Sequence, residues 1–172
     1  MTFEVTSQDL VDGGKLPRSQ ASAYFGLDGQ DLSPQVSWSG APEGTRSFAV
    51  TVMDPDAKRA GGFCHWAVVN IPAAVDELPE GAGGAPDGMG PSGDEAGLPV
   101  GSVELTNDAG FAGFVGAGPP KGSGPHRYVL TVHAVGAERL PATPRSTGSR
   151  VLKDIRDHEL ASASITCTFE VR

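Results

Sequence analysis

The sequence predicts a mainly β protein, an antiparallel β-sandwich trimmed by one C-terminal α-helix and short helical turns. Three observations carry this. Glycine and proline number 24 and 14, together 38 of 172 residues, nearly twice the usual share of about 12 %. A chain punctuated so often reads as short strands joined by turns rather than as a helix bundle. Several segments alternate apolar and polar residues with the period of a strand, and only one stretch carries a helical period.

The elements follow in order. Residues 3–6 and 35–38 are short strand candidates. Phe48, Val50 and Val52 fall on one face of residues 45–53, the pattern of a strand with one wet side. Residues 63–71 and 126–135 are more continuously apolar, as expected of strands buried on both faces. A shorter candidate covers 103–106. Near the end, Ile165, Cys167, Phe169 and Val171 alternate with Thr166, Thr168 and Glu170. The helix is predicted over 149–161, where Val151, Leu152, Ile155 and His158 approach one face and Lys153, Asp154, Arg156 and Asp157 the other. Ser146 or Ser149 would cap its start. Residues 79–101 have no apolar period and too much glycine and proline to pack, which predicts a long surface loop. No repeat divides the chain, so residues 1–172 are read as a single domain.

Composition narrows the function. With 13 basic and 21 acidic residues the formal net charge is −8, against the basic face that nucleic acid requires. No apolar run reaches the roughly 18 residues of a membrane-spanning helix. The start, Met1 to Val5, lacks the basic and apolar regions of a signal peptide, so the expected compartment is the cytoplasm. Cys64 and Cys167 form neither a CxxC pair nor a zinc motif and are expected as free, buried thiols.

Three blocks can carry chemistry. Asp54-Pro55-Asp56 follows a strand directly and reads as a proline turn. Phe63-Cys64-His65-Trp66 opens another strand. Strict alternation sets His65 on the face opposite Cys64 and Trp66, so Cys64 and His65 form no dyad. The Gly-rich segment from Gly113 to Pro125 leads into His126-Arg127-Tyr128, where His126 and Tyr128 share a face and His133 points away. Gly116 and Gly118 would permit positive φ and uncover N–H groups able to cradle an anion. The segment is no nucleotide-hydrolase phosphate loop, because prolines and a strand follow instead of a helix.

In order, Ser33-Pro34-Gln35-Val36-Ser37-Trp38, Ser47 through Asp56, His65-Trp66 with Asn70-Ile71-Pro72, Asn107-Asp108, and Gly116 through Tyr128 resemble the phosphatidylethanolamine-binding protein family. The likeness is to its bacterial Raf-kinase-inhibitor-like branch and covers most of the chain from about residue 30. It implies a Greek-key β-sandwich and a small cavity for anions such as a phospholipid-headgroup phosphate. By position, that cavity would be lined by Asp54, Asp56, His65, Gly116, Ala117, Gly118, His126 and Tyr128. The resemblance implies no metal, no cofactor and no nucleophile–base pair. It further implies a homodimer and a protein partner such as a kinase or peptidase. Phe114 stands for a common Tyr, and Ala117 for Ser or Pro, which removes hydroxyls from the loop.

The physics is independent of the family. Two imidazoles, His65 and His126, could donate to one oxyanion, and a carboxylate such as Asp54 on the far nitrogen of a His would fix its tautomer. Local donors decide such a site, while net charge governs only long-range approach. The expected function is therefore a non-catalytic, anion-binding protein that is not membrane-integral. The alternative is a hydrolase or lyase acting on a small phosphorylated or carboxylated metabolite, with a pocket His as general acid/base.

Overall fold

Eight strands and one α-helix are built from residues 2–86 and 93–172, the residues described by a computed structural model. In chain order they are β1 (Glu4–Thr6), β2 (Val36–Ser39), β3 (Ser47–Asp54), β4 (Phe63–Pro72), β5 (Glu77–Leu78), β6 (Val103–Glu104), β7 (His126–Val135), α1 (Gly148–His158) and β8 (Glu159–Phe169). Short 3₁₀ turns lie at Arg18–Gln20 and Gly93–Ala96. The strands form two antiparallel sheets, ordered β1-β2-β5 and β6-β4-β3-β7-β8. In the larger sheet β7 returns beside β3 while β4 and β6 lie on its other side, which is the Greek-key order.

The main core lies between the sheets, where Val36, Trp38 and Leu78 meet Phe48, Val50, Trp66, Val68, Leu130 and Val132. The helix covers the opposite face of the larger sheet. There Val151 and Ile155 pack on Ala49, Cys64, Val69, Leu105 and Val135. This third layer corrects the expectation of a wet side for β3, because Ala49 and Thr51 are buried as well. The strand at 63–72 is buried on both faces, whereas β7 alternates in its first half and is fully buried only in its second.

The helix ends at His158, three residues before the expected boundary. Glu159 turns extended and pairs with Val135, so the cross-strand ladder takes residues 159–161 from the helix. Its cap is Thr147, whose hydroxyl accepts the Arg150 N–H, not Ser146 or Ser149. His158 is exposed rather than on the apolar face.

Residues 79–101 pack better than their composition suggests. Ala82 and Leu98 enter the main core. The Glu104 carboxylate accepts both the Gly84 N–H and the Trp66 indole N–H, the latter at 2.7 Å. The middle of the expected loop, 87–92, lies outside the described residues. Both cysteines are buried and unpaired. Among the described residues, no helix is long and apolar enough to cross a membrane.

Candidate functional site

The ends of β3, β4 and β7 meet at a cleft of about 570 Å³. Asp54 is the last residue of β3, and Pro55 turns the chain sharply after it. One carboxylate oxygen, Oδ1, accepts the N–H groups of Asp56 at 2.8 Å and Ala57 at 3.1 Å, an Asx turn. The other, Oδ2, accepts Nδ1–H of His126, the first residue of β7, at 2.7 Å. The two side chains are only 5 % and 9 % exposed, so water has little access to their bond. A carboxylate can only accept here, so the hydrogen is fixed on Nδ1 and Nε2 is turned outward. Nε2 lies 3.2 Å from Ser123 Oγ, and that oxygen also lies 2.7 Å from the Pro120 carbonyl.

His65 reaches the cleft through a β-bulge. Val52 pairs with Trp66 and Met53 with Cys64, which leaves His65 as the extra residue. The bulge breaks the strict alternation expected for this block. Cys64 joins the cluster beneath the helix while Trp66 enters the core between the sheets, so the two do not share a face. The His65 ring packs between Phe63, tilted at 52°, and Tyr128, edge-to-face at 71°, with centroids at 4.7 and 5.2 Å.

Its Nδ1 donates to the Val115 carbonyl at 2.7 Å. Burial pushes the imidazole below its ordinary value, outweighing the carbonyl and the nearby carboxylates. The neutral ring therefore presents Nε2 as an acceptor. The expectation that both imidazoles donate to one anion is thus corrected, since His65 spends its hydrogen on the backbone.

Tyr128 is buried, and its hydroxyl has no hydrogen-bond partner among the described residues. Burial, with Asp54 and Asp56 nearby, pushes its phenol upward and keeps it a donor. Asp56 lines the cleft but is occupied elsewhere. It takes the Arg127 N–H at 2.8 Å and the guanidinium at 2.9 and 3.1 Å. This pairing holds its carboxyl down to about 2.

The glycine segment behaves differently from its expected role as a nest of N–H donors. Gly116 gives its N–H to Asp31 Oδ1 at 2.7 Å, and Ala117 gives its own to the Gln20 carbonyl at 3.1 Å. Neither lines the cleft, and neither Gly116 nor Gly118 has positive φ. Glycine is needed there for close approach instead. A Cβ on Gly116 would stand 2.5 Å from the Ala21 carbonyl carbon, and one on Gly118 2.5 Å from the Phe25 ring. Gly118 does line the cleft.

Of the expected site residues, the fold thus brings together Asp54, Asp56, His65, Gly118, His126 and Tyr128, and leaves Gly116 and Ala117 behind the wall. The sequence reading missed Phe25 and Phe63, which form an apolar wall, and Lys58 and Arg59 at the mouth. The basic pair Lys58-Arg59, one residue beyond Asp54-Pro55-Asp56, was a usable signal. Phe25 carried none, because Asp31 positions its segment. Asp31 Oδ2 accepts the Ala23 and Tyr24 N–H groups while Oδ1 holds Gly116. Two hydrogen bonds link Ser123 Oγ, the His126 ring and the Asp54 carboxylate. Among the described residues, no group of three or more His, Cys, Asp or Glu side chains is arranged to hold a metal ion.

Comparison with known proteins bears on the family and the fold. A family model described as phosphatidylethanolamine-binding protein matches residues 6–170. The YbcL protein of Escherichia coli is 44 % identical over 99 % of this chain and 88 % of its own length. YbhB of the same organism is 42 % identical over 97 % of this chain and 99 % of its own. The crystal structure of YbcL, described as a new member of the mammalian PEBP family, superposes with a TM-score of 0.89 at 45 % identity, covering 99 % of both chains. With a family model matched over residues 6–170 and the fold shared along nearly the whole chain, the chain belongs to the phosphatidylethanolamine-binding protein family.

Proposed function

We propose that the cleft binds a small anion, a phosphate or carboxylate group, and that the protein acts as a binding module whose occupied cleft modulates a protein partner in the cytoplasm. The observation that carries this is the division of labour among the polar groups. Both carboxylates are spent on internal bonds, Asp54 on its turn and His126, and Asp56 on Arg127. The groups left for a ligand are the Tyr128 hydroxyl and the Lys58 ammonium, with Arg59 shared at 3.7 Å with Asp108, and His126 Nε2, which donates once the ring carries a second proton. A hydrogen bond to a charged acceptor contributes about 1.5–3 kcal/mol, enough for selective binding despite the net charge of −8.

His65 adds a preference. Its Nε2 accepts, so it favours an anion carrying its own proton, such as hydrogen phosphate. The test is a titration with inorganic phosphate and with phosphoethanolamine, followed by NMR of the imidazole and phenol groups. Saturable shifts at His126 and Tyr128 are expected, weakened about tenfold or more in Tyr128→Phe. Unmoved resonances overturn the reading. One observation favours the alternative, a hydrolase with a pocket imidazole as base: the approach of Ser123 to His126 Nε2.

A further inference from the structure

Ser123 sits on the exposed loop that closes the cleft mouth, three residues before His126. Its Oγ lies 3.2 Å from Nε2, and the far nitrogen of the same ring lies 2.7 Å from a buried carboxylate. The order hydroxyl, imidazole, carboxylate is that of an activated serine, recognised by geometry and not by sequence position. The hydroxyl hydrogen has two acceptors, the Pro120 carbonyl and Nε2, and a turn of one rotor passes it from the first to the second. Acid–base contacts are commonly this long before a substrate is bound.

We propose that Ser123 is an acylatable nucleophile, with His126 as its base and Asp54 as the positioning residue. Its substrates are small carboxylic esters with an apolar or aromatic leaving group. The apolar wall of Phe25 and Phe63 supplies the place for that group. Ser123 Oγ adds to the ester carbonyl while its proton passes to His126 Nε2. The C–O bond to the leaving group then breaks, and the departing alkoxide or phenolate takes that proton. Water attacks the acyl-Ser123 ester in turn, giving its proton to Nε2, and the released serine oxygen recovers it as the carboxylic acid leaves. The Tyr128 hydroxyl and the Lys58 ammonium are the donors available to the oxyanion. An anion can bind at Nε2 only when the ring carries a second proton, and that proton removes the base Ser123 needs, so anion binding and acylation exclude each other.

The experiment treats the full chain with a fluorophosphonate, which loses fluoride as serine oxygen bonds to phosphorus, and maps the adduct by mass spectrometry. A single adduct on Ser123 is expected, absent in Ser123→Ala and in urea-unfolded protein, and formed about 100-fold more slowly in His126→Gln. p-Nitrophenyl acetate should release one equivalent of nitrophenolate in a burst that Ser123→Ala abolishes. An adduct elsewhere, no adduct, or an equal rate in His126→Gln and wild type overturns the proposal. Inorganic phosphate is expected to slow labelling. Labelling indifferent to phosphate in a protein that binds it overturns the shared use of Nε2, while labelling without phosphate binding leaves Ser123 standing and removes the anion reading.

Discussion

Replacing Asp54 by Asn separates the two jobs of this carboxylate. Asn keeps an Oδ1 that accepts the N–H groups of Asp56 and Ala57, so the turn survives. What changes is the 2.7 Å bond to His126 Nδ1. The amide would set N–H against N–H, so the imidazole shifts its hydrogen to Nε2 and accepts at Nδ1. A charge-assisted bond of about 1.5–3 kcal/mol becomes a neutral one of about 0.5–1.5 kcal/mol, a net loss of about 1–2 kcal/mol. With side chains only 5 % and 9 % exposed, water repairs little of this. For a chain of this length the loss lowers Tm by about 2–8 °C. The Ser123 base disappears with the tautomer, whereas Nε2–H, created by the shift, donates to an anion. Thermal unfolding followed by circular dichroism reads the first effect, and long-range nitrogen–proton NMR of His126 reads the tautomer. An unchanged tautomer together with a Tm within about 1 °C of wild type would refute the reasoning.

Three further outcomes are expected. Asp31→Ala strands three backbone donors at a site only 7 % exposed; at about 1–3 kcal/mol each, partly met by water, the loss in denaturant titration is about 3–5 kcal/mol, and a loss below about 1 kcal/mol contradicts the role given to it. Gly118→Val places Cβ 2.5 Å from Cδ2 and 2.7 Å from Cβ of Phe25, so the Phe25 backbone must move together with its ring, and both stability and ligand binding fall; equal affinity in the variant argues against Phe25 as a wall. Desolvation lowers both His65 and His133, outweighing Val115 at the first and Glu159 at the second, while Arg156 also lowers His133. The unfolded chain therefore binds more protons than the folded one, and this contribution to stability is complete above about pH 6.5 and is lost as pH falls below it. Tm measured from pH 7.5 down to 5 should fall, and less steeply in His65→Phe; a rise on acidification contradicts the sign.

The helix face of Val151, Leu152 and Ile155 and the alternation of Ile165 and Cys167 were legible because each depends on a local period. The ordered blocks also named six of the residues that line the cleft. Two glycine-loop residues were misplaced, because a run of glycines reads equally as a nest or as room for a close neighbour. Only the position of Ala21 and Phe25 decides between the two.

Sequence by itself determined the long strands of the larger sheet and the body of the helix, the family and the chemical types of the site residues, but not β5 or the start of β8. Tertiary structure alone decided what those residues do. The partner of His126 is 72 residues away, and that of His65 is a carbonyl 50 residues away. Hydrogen-bond direction fixes each tautomer with hydrogen on Nδ1, leaving Nε2 of each neutral ring an acceptor, that of His126 beside Ser123. The bulge that turns His65 inward arises from the register between β3 and β4. Periodicity is a property of neighbours along the chain, whereas register and proton placement belong to partners that only folding brings within 3 Å.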